Sequence, residues 1–159
     1  MAMVHEKLYK SDDLAHTHFG QYLHELVHSV IFSLSKSSER FRIDLSIDPI
    51  NLDIDKSILT GLIVNELVMN SIKHAFPETP GGGGGGTNDI AVVFRIEDGE
   101  YVLEYSDNGA GLPSGFSIEH SDSLGMKIVA TLVRQLRGKI EIVPHRGMKA
   151  LVRFPVRKD

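Results

Sequence analysis

The stretch RFRIDLSID, residues 40–48, dictates what its neighbours must do. Phe41, Ile43, Leu45 and Ile47 point to one side, and charged or small residues point to the other. This alternation is that of a strand buried on one face only. Such a strand needs a layer laid over its apolar side. The segments around it supply one. Upstream, Tyr22, Leu23, Leu26, Val30 and Leu34 recur at helical spacing between Phe19 and Leu34. Downstream, Pro49 ends the strand, and Asp53 or Asp55 can cap a second helix that runs to Pro77.

The rest of the chain repeats the theme. IAVVFRI and YVLEYSD are short strands joined through Asp98-Gly99, a pair suited to a tight hairpin. A loop rich in glycine and serine covers 108–123, and MKIVATLVRQL then carries helical spacing at Ile128, Leu132 and Leu136. Gly138 can stop that helix in a left-handed cap. KIEIV and KALVRFPV close the chain around the turn PHRG. Helix, strand, helix, hairpin, loop, helix, hairpin is satisfied by an α/β two-layer sandwich with the helices on one face of a mixed sheet. The hexaglycine run at 81–86 contributes to neither layer, since it has no side chain to bury and the most backbone entropy to lose. It reads as a surface loop.

Composition sets the outer bounds. A chain of 159 residues can close one core. A net charge of -4, with neither half strongly basic, gives no footprint for a nucleic acid backbone. The absence of cysteine removes disulfides and thiolate metal sites together. No apolar run reaches the length of a membrane span, so no direct membrane contact is expected. The eight histidines are scattered. His16 and His18 form an HxH pair with no carboxylate or third imidazole arranged beside it, and solvated histidines near a helix start account for them better than a metal does.

One helix departs from ordinary amphipathicity. In NELVMNSIKHAF, residues 65–76, place Glu66 at zero. At about 100° per residue, Asn70 falls near 40°, Lys73 near -20° and His74 near 80°, roughly a single stripe. Val64, Leu67, Val68, Ser71, Ile72 and Ala75 take the opposite side. A solvated face would produce the same stripe. What favours a site is the rest of the chain. DNGAG, residues 107–111, brings Asp107 out of a strand into glycines at 109 and 111, which lets backbone approach a flat or charged ligand. SLGMKIV sets Gly125 at a helix start, where free amide hydrogens and the helix dipole favour phosphate oxygens. Together these are the parts of a pocket for ATP and a divalent cation.

Those three segments, in that order, resemble the ATP-binding catalytic domain of sensor histidine kinases, within a wider superfamily that includes DNA gyrase. VHEKLYKSDD and LTGLIVNELVMNSIKHAF resemble the subfamily whose dimerisation domain is of the second histidine-kinase type. The resemblance covers nearly the whole chain. It implies a Bergerat-type ATP-binding fold with ATP and Mg²⁺ as cofactors. It further implies residues 1–13 as the remnant of an upstream dimerisation helix and its link, and 14–159 as the catalytic domain.

By resemblance, Asn70 is the Mg²⁺ ligand, and Glu66, one turn earlier, is the catalytic residue that orients or deprotonates the attacking group. Lys73 and His74 are phosphate contacts, and Asp107 accepts from the adenine amino group. Gly109 and Gly111 open the lid, Gly125 closes its far end, and Leu124 and Met126 flank that glycine beside the nucleotide, where packing or lid closure suits them best. The implied activity is transfer of the γ-phosphoryl group to a histidine on a dimerisation domain, and from there to a response regulator, in the cytoplasm.

The sequence also departs from the family pattern. SLGM stands where relatives have GTGLGL, the segment 112–124 is short, and Met148 replaces a threonine common in the last strand. No acceptor of the HHRxxN kind occurs, so autophosphorylation of this chain is not expected. Three alternatives stay open at this point: an anti-sigma-type serine-protein kinase, a gyrase-like ATPase, and a non-catalytic adaptor that binds a response regulator or partner helix without ATP.

Overall fold

The computed structural model describes residues 18–35, 40–76, 87–143 and 146–157. The helix remnant and KSDD link expected before residue 13, His16, Pro77 and the hexaglycine lie outside the described residues, as does part of the PHRG turn. In chain order the elements are α1 (Phe19–Leu34), β1 (Phe41–Ile47), α2 (Ile54–Asn70), β2 (Asn88–Glu97), β3 (Glu100–Asp107), α3 (Leu124–Gln135), β4 (Lys139–Ile142) and β5 (Lys149–Pro155). Among the described residues, three α-helices cover a five-stranded sheet of order β1-β2-β3-β5-β4. β1 runs parallel to β2 and every other pair is antiparallel, so the sheet is mixed as expected.

Alternation puts one row of each strand under the helices. Ile90, Val92 and Phe94 of β2 face Asp107, Tyr105 and Leu103 of β3 across the ladder. Apart from Asp107, these side chains join Leu23, Leu26 and Val27 of α1, Ile63, Val64, Leu67 and Val68 of α2, and Val129 and Val133 of α3 in one buried cluster. Phe94 is its aromatic centre, with Phe19 edge-on at 4.8 Å and Tyr101 stacked at 5.7 Å between centroids. Each such pair adds about 0.5–1.5 kcal/mol beyond area burial. The same period of two carries Asp107 inward. It continues the row Leu103, Tyr105, so the carboxylate faces the helix layer and not water.

The helix ends show their causes. Asp53 caps α2, its carboxylate accepting from the Lys56 amide at 2.9 Å. Beyond Asn70 the helix does not run on unchanged to Pro77. Ser71–Ala75 widens into a π turn, closed by the Phe76 amide on the Ser71 carbonyl at 3.1 Å. Such wide turns concentrate at functional sites. The end of α3 also differs from expectation. The left-handed residue is Arg137, at φ 57°, and not Gly138. The Gly138 amide bonds the Val133 carbonyl and the Arg137 amide bonds that of Arg134, which together make a Schellman closure. Gly138 is required for space instead, because a Cβ there would lie 2.5 Å from the Arg153 carbonyl oxygen.

On the outer face of α1, the rings of His24 and His28 meet at a tilt, with centroids 4.3 Å apart. Burial first, and the neighbouring His24 second, hold His28 below the ordinary histidine range.

Candidate nucleotide-binding site

Asp107 is the best-held polar group in the core, 4% exposed at the end of β3. Its Oδ1 accepts from the Gly109 amide at 3.0 Å and the Met148 amide at 3.2 Å, and its Oδ2 accepts from the Ser71 hydroxyl at 2.7 Å. An ionised carboxylate has about four acceptor positions, so three donors leave one for a ligand. Ser71 also shares a 2.6 Å hydrogen bond with the Tyr105 hydroxyl. Tyr105 is wholly buried, and desolvation pushes its phenol far above the ordinary tyrosine range. The phenol is therefore neutral and serves as a fixed hydrogen-bonding group between the sheet and the helix.

The glycines explain how the loops close on this carboxylate. A Cβ on Gly109 would stand 2.5 Å from the Ala75 Cβ, and the next amide, Ala110, donates to the Ala75 carbonyl at 3.1 Å. Gly109 thus serves first to let the DNGAG turn press against the π turn. Gly111 takes a left-handed φ of 80°. Gly147, at φ 85°, leaves no room for a side chain against the Asp107 backbone carbonyl. Its neighbour Met148 accepts from the Asp107 amide through its backbone carbonyl at 2.9 Å and donates its own amide to Asp107 Oδ1, while its side chain is buried. At position 148 it is the backbone amide that holds Asp107, alongside the Gly109 amide and the Ser71 hydroxyl.

At the other rim, α3 starts beside α2. Ser123 caps α3, accepting from the Met126 amide. A Cβ on Gly125 would stand 3.0 Å from Glu66 Oε2 and 3.7 Å from Asn70 Oδ1. The bare backbone of the first turn of α3 therefore faces a carboxylate and an amide oxygen at contact distance. That is a narrow cradle that any larger residue would fill. Lys73 and His74 sit on the π turn between this rim and Ala75, both exposed. Met126 is 2% exposed, its side chain packed in the core. Leu124 is 73% exposed at the mouth of the helix.

Glu66, Asn70 and Gly125 thus meet at one end of α2, and Ser71, Ala75, Gly109 and Asp107 meet one turn further on. In the sequence Ser71 bears no mark of a site residue, because its angle on the helix places it among Leu67, Val68 and Ile72. The signal was available only by pairing it with the inward row of β3. Gly147 was missed for the same reason: its demand comes from a strand distant in sequence.

A family model described as "Histidine kinase-, DNA gyrase B-, and HSP90-like ATPase" matches residues 55–158. The chain belongs to that family. A second model, described as "Histidine kinase", matches residues 1–34. The sensor histidine kinase PdtaS of Mycobacterium tuberculosis is 38% identical over 110 residues, which are 66% of this chain and 21% of PdtaS. The sensor histidine kinase ComP of Bacillus subtilis is 27% identical over 97 residues, 61% of this chain and 11% of ComP. The chain therefore spans about a fifth or less of these relatives. Among solved structures, the histidine kinase domain of the Erythrobacter litoralis EL346 blue-light activated kinase superposes with a TM-score of 0.78. It is 17% identical and covers 97% of this chain and 70% of that one. The mycobacterial sensor histidine kinase MprB gives 0.55 at 18% identity, over 84% of this chain and 95% of that one. These structures establish the fold: helices on a mixed sheet, as in histidine kinase ATPase domains. Family membership carries ATP binding with it, through the ATPase domain that this family's model describes.

Proposed function

We propose that this domain holds Mg·ATP across the Glu66–Asn70–Gly125 and Ser71–Asp107 clusters and supplies its γ-phosphoryl group to a histidine on a dimerisation domain. From that histidine the group passes to an aspartate of a response regulator, in a two-component pathway in the cytoplasm. Residues 1–13 belong in this reading to the tail of the dimerisation helices and their link.

The donor set fits the cofactor. The amide oxygen of Asn70 is a hard, neutral ligand suited to Mg²⁺ beside a triphosphate, where a carboxylate would meet like charge. Lys73 and His74 offset phosphate charge from the exposed side of the π turn. The first turn of α3, kept bare by Gly125, offers amide hydrogens to phosphate oxygens. Asp107 has one acceptor position left for the adenine amino group, and a base with an acceptor at that position would leave a buried carboxylate unpaired. Glu66 orients the incoming imidazole or takes its proton. When bound, Mg²⁺ neutralises charge on the phosphates, and catalysis rests on positioning and charge stabilisation by the residues around it.

The observation that carries this reading is the approach of Gly125 to both Glu66 and Asn70. It puts a helix start, a carboxylate and an amide at one small space. Calorimetric titration with ATP, with and without Mg²⁺, tests it. Asn70→Ala should abolish the Mg²⁺ dependence of binding, and Asp107→Asn should abolish preference for adenine over guanine nucleotides. Parent protein that gives no heat and no thermal shift with Mg·ATP would favour a non-catalytic adaptor instead.

A further inference from the structure

The chain has eight histidines, and α1 sets two of them one turn apart on its outer face. His24-Glu25-Leu26-Val27-His28 spells H-E-x-x-H within a 16-residue helix. At this spacing two imidazoles on one face reach a single metal ion. Their rings are in contact, centroids 4.3 Å apart and planes tilted by 52°. Both residues are exposed, while Leu26 and Val27 between them are fully buried. The pair thus projects from a turn of backbone fixed by the core, which lowers the cost of bringing two ligands together.

We propose that His24 and His28 form a surface binding site for Zn²⁺ or another borderline divalent transition-metal ion. Two ring nitrogens, at about 2.0 Å from such an ion, supply two positions of a tetrahedral set. Water supplies the others, because among the described residues no cluster of three or more His, Cys, Asp or Glu side chains is suited to a metal. Glu25 is engaged elsewhere, accepting from the Gln21 amide at 3.4 Å. The site is one of binding; the hydrolases that share this spacing take a third protein ligand. Imidazole selects Zn²⁺, Ni²⁺ or Cu²⁺ over Mg²⁺, whose preferred ligands are oxygens. The site is therefore chemically separate from the one assigned to Asn70 and independent of the nucleotide.

Calorimetric titration of the nucleotide-free chain with ZnCl₂, in excess Mg²⁺, tests the proposal. One zinc-binding event should be weakened about tenfold or more by either His24→Ala or His28→Ala, since losing a ligand costs at least as much as losing its outer support. His18→Ala and His74→Ala should leave it in place. His24→Gln/His28→Gln, with its fold checked by circular dichroism, should lose it and bind Mg·ATP as the parent does. Zinc affinity retained in that double variant, or absent in the parent, would overturn the site. Neither result bears on nucleotide binding.

Discussion

Ser71 carries more of the site than its size suggests. Its hydroxyl donates to Asp107 and pairs with Tyr105, and all three side chains are buried. Ser71→Ala leaves the carboxylate short of a donor and the phenol without its partner. The expected loss is about 1–3 kcal/mol of stability, read as a lower urea midpoint, with weaker ATP binding besides. Tyrosine ionisation gives a second expectation. Tyr22 is pushed up to about 12 by burial, and desolvation raises Tyr105 further. An acid whose pKa is raised by folding stabilises the native state below its unfolded value. That stability is lost as pH rises through the folded value. Stability should therefore fall as pH climbs from about 10 towards 12, and Tyr22→Phe should flatten the slope in a series of pH-jump melts. Asp107 was legible in the sequence because YVLEYSD keeps a strict alternation to its last residue. Ser71 was not, since a small hydroxyl on an apolar helix face gives no sign of what lies opposite.

At the scale of elements, helices and strands were legible from periodicity, and their ends were less so. SIKHA reads as ordinary helix, yet it opens into a π turn, because nothing in five side chains records a change from 3.6 to a wider pitch. Glycine at the end of α3 suggested a left-handed cap, but the chain puts Arg137 in that conformation and spends Gly138 on close contact with β5. Gly138→Ala should accordingly cost about 1–3 kcal/mol through overpacking against the Arg153 carbonyl. An unchanged thermal midpoint in that variant would mean that the α3–β5 junction yields without penalty. α1 shows the same limit from the other side. Its histidines look scattered along the sequence and become a contacting pair only once the helix sets residues 24 and 28 on one face.

For the whole molecule, the order of periodicities was enough to give helices over a mixed sheet, and three ordered segments were enough to give the family. Strand order was not legible: that β5 inserts between β3 and β4 rests on pairings far apart in sequence. The ATP site proposed above makes a global prediction. Mg·ATP at about a hundred times its dissociation constant should add about 2.7 kcal/mol to stability, or about 5–10 °C in midpoint for a chain of this size. Radiolabel from γ-labelled ATP should not accumulate stably on the chain, yet should appear on an added dimerisation domain of the matching type. The bond from Ser71 to Asp107 has one more implication. It stitches the end of β3 to the same turn that presents Lys73 and His74, so neither can shift alone without breaking a buried hydrogen bond.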